Sequence, residues 1–415
     1  MSAVPVIAAP DLAGRRTVFD KVLRSVQDRF VRPTALPPDV QKLREDHQTR
    51  VLASSTAEDF EEAVNQMLRT LGTSHTGFFH EARPRAAGRI AFAATLTKVE
   101  TTDGVRWMFQ DVHAGGAAAN AGIRPGDVLL TLDGKEVAPP ESAAFDLGRS
   151  YALGIRRSGG STLQATLDIP GSRERKRPIV VPDQVVRAST LAPGIGLIRI
   201  SMFPGILGMD VARDITRAVS ELGCTRLIVD LRGNTGGGIG CLRLMSHLCP
   251  DRRGVGYSVG ARLIRSGYDK DQLPRFDGIP SSKLGVVPLI FRFARSGRSI
   301  AVFSEGLGTQ RHHGHVVLLV NEHSASAAEM VAAFASEYGL ATVVGTKTAG
   351  RLVGASSFKV GFGYRVALPV AAYFTWQGTS LEGSGVQPDI DEPLSPERLW
   401  AGEDSQLSRA LAVAR

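Results

Sequence analysis

The chain has 415 residues, 43% of them hydrophobic and 22% charged, with a formal net charge of +8. These are values of a folded protein with real cores; they exclude wholesale disorder, and at roughly 150 residues per domain the length points to two or three domains. Three cysteines (Cys224, Cys241, Cys249) exclude a disulfide framework and a four-cysteine zinc site. No run of about 18 apolar residues occurs, so no membrane insertion is expected. The N-terminal stretch is broken by Pro5 and Pro10 and has no basic region before it, so the expectation is a cytoplasmic protein without a cleavable leader.

In chain order, residues 12–80 read as helical. Val18, Val22, Leu23 and Val26 recur at helical spacing, and Phe60, Val64, Met67 and Leu68 share one face of a second helix. That helix stops at Leu71-Gly72, and Thr73-Ser74-His75-Thr76 places polar groups just beyond it. Residues 1–85 are thus an N-terminal helical segment carrying Ser74 and His75.

From 86 to 172 the pattern changes to short β runs, expected at 90–96, 107–112, 128–132 and 163–169, separated by glycine turns. In their midst, Ala117-Ala118-Ala119-Asn120-Ala121-Gly122-Ile123-Arg124-Pro125-Gly126-Asp127-Val128-Leu129 resembles the helix–turn–strand signature of a PDZ domain. The resemblance implies a groove that captures an extended peptide, with Gly88, Arg89, Ile90, Ala91 and Phe92 as its carboxylate loop. Next comes a basic knot, Arg173-Glu174-Arg175-Lys176-Arg177, which reads as a solvated linker. With no aromatic platform or helix-turn-helix pattern beside it, nucleic acid is not an expected partner.

Residues 173–415 alternate strand and helix: strands at 195–200, 227–231, 316–320 and 341–345, helices at 208–222 and 327–339. That order predicts an α/β domain with a largely parallel sheet. Residues 250–310 have weak periodicity and read as an insertion or lid.

Two strand-to-helix junctions carry the chemistry. Asp230-Leu231-Arg232-Gly233-Asn234-Thr235-Gly236-Gly237-Gly238 clusters glycines where a strand ends and a helix begins, which exposes backbone N–H groups to an anion. Without the Lys-Ser/Thr ending of a nucleotide loop, it reads as an oxyanion hole before a phosphate site, with a glycine-rich packing turn as the alternative. At Asn321-Glu322-His323-Ser324-Ala325-Ser326-Ala327, Ser326 is either a helix N-cap or a hydroxyl presented to a carbonyl.

Together with Gly345-Thr346-Lys347-Thr348-Ala349-Gly350, these junctions resemble the C-terminal-processing (tail-specific) serine peptidase family. The resemblance implies a crotonase/ClpP-like α/β core with an inserted PDZ domain, and Ser326 as nucleophile. It also implies an oxyanion hole from the N–H of Ala327 and that of Gly236 or Gly237. Where many members place a lysine base, this chain has Arg351, whose guanidinium stays protonated and cannot serve as one. Gly72-Thr73-Ser74-His75 and Leu381-Glu382-Gly383-Ser384-Gly385-Val386-Gln387-Pro388-Asp389 instead resemble the tricorn-like branch. That likeness implies His75 as the base, oriented by Glu382, by Ser74, or by both.

The implied activity is hydrolysis of peptide bonds in proteins or peptides through an acyl-enzyme, with the PDZ domain assisting recognition and no cofactor. A homo-oligomer stays open. Two other readings are an inactive peptide-binding protein on a peptidase scaffold and an acyl-thioester enzyme; the latter explains neither the PDZ signature nor the Ser326, His75 and Glu382 set. His312, His313 and His315 have no acidic or cysteine partner at metal-ligand spacing, so no metal site is expected, and Cys241 and Cys249 read as packing residues.

Overall fold

A computed structural model describes residues 7–32, 38–82, 85–171, 181–205, 208–280, 295–296, 299–308, 312 and 314–415, with the side chains of 85–87 excepted. The basic knot 173–177 and His313 lie outside the described residues. The chain divides into two compact units, one formed by 1–83, 253–304 and 350–385, the other by 84–252, 305–349 and 386–415.

In the first unit, helices Leu12–Arg29, Val40–Leu52 and Ala57–Arg69 cover a six-stranded sheet. Asp11, Asp39 and Thr56 cap their N-termini, each accepting backbone N–H groups of the first turn. The expected apolar faces are buried: Val18, Val22, Leu23 and Val26 from one helix and Phe60, Val64, Met67 and Leu68 from another meet Phe78, Tyr364, Val366 and Leu368 of the sheet. Tyr364–Thr375 is the central strand, pairing with Gly77–His80, Val353–Gly361 and Gly254–Gly260, all antiparallel. The described residues within 250–310 are therefore more than an appended lid. Gly254–Gly260, Arg275–Phe276 and Ile300–Phe303 are strands of this sheet, and their glycines and short lengths hide the alternation that marks longer strands.

The second unit contains a largely parallel sheet of six strands in the order Ile390–Asp391, Thr342–Gly345, His315–Val320, Arg226–Asp230, Ile195–Ile200 and Val186–Ala192. Only the last pair is antiparallel. Helices Met209–Leu222 and Ala327–Glu337 follow strands at the positions expected from sequence, and the helix Cys241–Leu248 follows the glycine loop.

The PDZ sheet belongs to the same unit and is antiparallel, built on Ala94–Thr101, Gly104–Val112, Val128–Leu132, Ser150–Arg156 and Thr162–Asp168. Asp127 of its Pro-Gly-Asp turn is 1% exposed; it accepts the Arg124 N–H at 2.9 Å and is forked by Arg157 at 2.9–3.0 Å. Asp133 and Gly134 both take positive φ, as a two-residue hairpin turn requires.

One expectation here is corrected. Residues 90–92 are not the start of a strand but the end of a helix, Arg85–Phe92; the strand begins at Ala94. Gly88, Ala91 and Phe92 share the inward face at i, i+3, i+4 spacing, and Phe92 stacks on Phe145 at 4.2 Å between ring centroids. A side chain at Gly88 would strike the Phe145 carbonyl, so glycine is what permits this close approach. Tertiary packing overrides the apolar run.

Candidate active site

In the first unit, Ser74, His75 and Glu382 come together. The helix Ala57–Arg69 ends before Gly72, whose φ of +63° turns the chain out of the helix. On the far side, Asn65 clasps the strand Gly77–His80, accepting the Phe78 N–H and donating to the Phe78 carbonyl, both at 2.8 Å. The loop 72–76 is thus held at both ends, and within it His75 adopts a φ of +59°, uncommon for a residue with a side chain.

The Glu382 carboxylate accepts three donors: the Ser74 N–H at 2.5 Å, the Ser74 hydroxyl at 2.8 Å and the Leu352 N–H at 2.9 Å. The same hydroxyl lies 2.7 Å from His75 Nδ1. A hydroxyl has one proton to give, and here the carboxylate takes it, so the oxygen must accept from Nδ1–H. That assigns the tautomer and leaves the lone pair on Nε2, the nitrogen a general base uses. Desolvation is the largest influence on the His75 pKa and lowers it, although the residue as a whole is exposed. The Glu382 charge opposes that shift, and Arg351 reinforces it. The net direction keeps the imidazole neutral.

In the second unit the loop that carries Ser326 and the glycine loop after Asp230 interlock. Ser326 has φ +56° and ψ −116°, a conformation that costs on the order of 1–3 kcal/mol and persists only where its surroundings impose it. Several hydrogen bonds impose it. Ala325 N–H donates to the Asn234 carbonyl at 2.9 Å, Ala349 N–H to the Ser324 carbonyl at 3.0 Å, and Ser326 N–H to Glu329 at 2.9 Å. Glu329 is itself fully buried and held by the Thr348 hydroxyl at 2.7 Å. Ser326 is therefore at the N-cap position of the helix Ala327–Glu337, yet with the strained backbone of a presented side chain.

Gly236 sits against it. A Cβ there would lie 2.6 Å from Ser326 Cβ and 2.8 Å from the Ala327 nitrogen, so the space beside both is kept open by the missing side chain. Gly236 itself is no oxyanion donor: its N–H is taken by Asn234 Oδ1 at 2.8 Å and its carbonyl by Phe203 N–H at 2.9 Å. Among the described residues, the N–H groups of Gly237 and Ala327 have no hydrogen-bond partner. Two free N–H groups, one of them opening a helix, can hold an oxyanion.

The remaining motif residues are structural. Arg232 forks Asp230 at 2.8–3.0 Å and Asp404 at 2.8 Å, which ties the strand end to the C-terminal helix Ser405–Ala414. Burial opposes ionisation of Asp230, but Arg232 and Arg199 outweigh it and hold its pKa far below the carboxylate range. Asn321, Ser324, Glu329, Thr348 and Asn234 were visible only as motif letters; their work is to shape the two loops. Polar side chains in the loops that follow the buried strands, and for Glu329 in the first turn of a helix, were the available signal.

Arg89, Ile90, Ala91 and Phe92 form the last turn of a helix and not a carboxylate loop, and Ala91 and Phe92 are spent in the PDZ core. Among the described residues no cluster of His, Cys, Asp and Glu suits a metal. Cys241 and Cys249 are buried, and burial pushes the Cys241 thiol up to about 12. No described helix is long and apolar enough to cross a membrane.

Residues 194–392 match the family model described as Peptidase family S41, and residues 108–149 match that of a PDZ domain. A carboxyl-terminal-processing protease of Synechocystis sp. is 26% identical over 385 residues, 89% of this chain and 79% of that one. Tricorn protease homolog 1 of Streptomyces coelicolor is 24% identical over 419 residues, 96% of this chain but 35% of its own length. Among solved structures, a photosystem II D1 C-terminal processing protease superposes with a TM-score of 0.56 at 21% identity, covering 96% of this chain and 97% of that one, a likeness of fold.

Proposed function

The chain belongs to the C-terminal-processing serine peptidases, with a peptidase family S41 core and a PDZ domain, and we propose that Ser326 is its nucleophile and His75 its general base. The observation that carries this reading is the Ser74 bridge, which holds the Nδ1 proton and so leaves Nε2 as the basic nitrogen of a ring whose pKa burial lowers. In the proposed reaction Nε2 takes the proton of the Ser326 hydroxyl as its oxygen attacks the scissile carbonyl. The Gly237 and Ala327 N–H groups stabilise the oxyanion, and the imidazolium returns the proton to the leaving amine. Water then attacks the acyl-enzyme by the same route in reverse.

Glu382, acting through Ser74, stabilises the imidazolium. Arg351 cannot accept a proton, and in this reading its role is electrostatic. Protein or peptide chains are the substrates. Their capture by the PDZ domain and self-association of the chain are part of the proposal, supported by the domain match and by the family likeness. The test is hydrolysis of fluorescein-labelled β-casein by wild type, Ser326→Ala and His75→Ala. Both variants should lose activity while Arg351→Ala keeps it; turnover by Ser326→Ala at the wild-type rate ends the reading and favours a peptide-binding protein on a peptidase scaffold.

A further inference from the structure

The loops that carry Gly237 and Ser326 are gripped from outside the α/β core. Asp111, near the end of the PDZ strand Gly104–Val112, is half-buried with its side chain against Gly233. Its Oδ2 accepts the Thr95 hydroxyl at 2.5 Å and the Asn321 side-chain amide at 2.9 Å. The Asp111 N–H donates back to Thr95 Oγ1 at 3.1 Å, so the threonine proton points to the carboxylate.

A carboxylate can only accept, so Asn321 must turn its NH2 toward Asp111 and its oxygen the other way. That oxygen receives the N–H of Gly233 at 3.0 Å and the N–H of His323 at 3.1 Å. Gly233 lies four residues before Gly237, and His323 three before Ser326. A reversed amide would set its NH2 against both N–H groups. The Gly233 carbonyl is met by a second PDZ residue, His113 Nε2, at 3.3 Å. A Cβ on Gly233 would lie 2.8 Å from Asp111 Cβ, so its positive φ and its missing side chain both serve this close seat.

We propose that Asp111 is a positioning residue for the peptidase: from the PDZ strand it fixes the orientation of the Asn321 amide, which in turn aligns the oxyanion loop and the nucleophile loop. This rests on the reading of Ser326 as nucleophile and of Gly237 and Ala327 as oxyanion donors. The PDZ domain is then a structural part of the catalytic machinery as well as a separate module.

The test uses the full chain, with fluorescein-labelled β-casein as substrate and a fluorophosphonate as probe of Ser326. Asp111→Leu removes the acceptor at similar volume and should lower kcat by about 10- to 100-fold, since misdirected oxyanion donors act on the transition state. KM should change less than about threefold, and labelling of Ser326 should slow in step with kcat. Asp111→Asn can keep an oxygen at the Oδ2 position and should restore most of the rate. A wild-type kcat in Asp111→Leu overturns the proposal, as does an Asp111→Asn variant no better than Asp111→Leu.

Should Asp111→Leu not fold, the reversed pair decides. Asn321→Asp alone sets two carboxylates together and should lose activity, and combining it with Asp111→Asn should recover about tenfold. No recovery overturns the proposal. Failure of the underlying reading looks different: wild-type enzyme unlabelled at Ser326 and active Ser326→Ala remove the nucleophile itself, whereas an active Asp111→Leu that labels normally removes only the positioning role.

Discussion

The hydroxyl of Ser74 stands 2.7 Å from Nδ1 of His75 and passes the ring's contact on to Glu382, so the carboxylate orients the imidazole through its neighbour in sequence. Adjacent residues rarely point side chains the same way in regular structure; here the positive φ of His75 folds its ring back onto Ser74. The strain and the hydrogen bond are two sides of one device.

Ser74→Ala removes the bridge and frees the ring to take the other tautomer. The expected loss is about 10²-fold in kcat with little change in KM, measured on labelled β-casein. Ser74→Thr keeps the hydroxyl and should retain much more of the rate.

The pH profile carries a sign that can be checked. The base must be neutral, so kcat/KM rises as His75 deprotonates, and burial followed by Arg351 puts that limb below the ordinary histidine value of about 6.5. Arg351→Ala removes a lowering influence and should move the acid limb to higher pH without abolishing activity on the plateau. Glu382→Gln removes the raising influence and should move it to lower pH, with a reduced plateau because the bridge is weakened.

Gly236→Ala tests the shape of the oxyanion site. The new methyl would press on Ser326 Cβ and the Ala327 nitrogen from a backbone of φ +89°, and kcat should fall about 10²-fold. Fluorophosphonate labelling should fall with it. If the variant stays folded by circular dichroism and cleaves at the wild-type rate, the Gly236 side of Ser326 is not where the carbonyl sits.

Arg232→Leu addresses stability. It leaves Asp230 buried with its principal partner gone, and Asp404 loses the same fork. Urea unfolding should show a loss of about 3–5 kcal/mol, far more than loss of a surface pair such as Arg213 with Asp210.

Much of this was legible in the sequence, because the physics there is local. The faces of 57–69, the buried runs at 227–231 and 316–320, and the glycine loop after Asp230 all follow from periodicity and turn chemistry. What was not legible depends on partners distant in sequence. Residues 90–92 read as strand until Phe145 is placed against Phe92, and 254–260 looks featureless until Tyr364–Thr375 pairs with it. That the Gly236 N–H is spent while the Gly237 N–H is left depends on the Asn234 side chain. Asp111 gave no signal at all, since its partner Asn321 is 210 residues away.

The central claim, Ser326 as a nucleophile served by His75, is tested most directly by the rate of fluorophosphonate labelling, with the adduct located by peptide mass spectrometry. The account predicts a single adduct on Ser326 in wild type, formed at least about 10²-fold more slowly in His75→Ala and at nearly the wild-type rate in Arg351→Ala at pH 8. An adduct on another residue, or a His75→Ala enzyme that labels as fast as wild type, would contradict it.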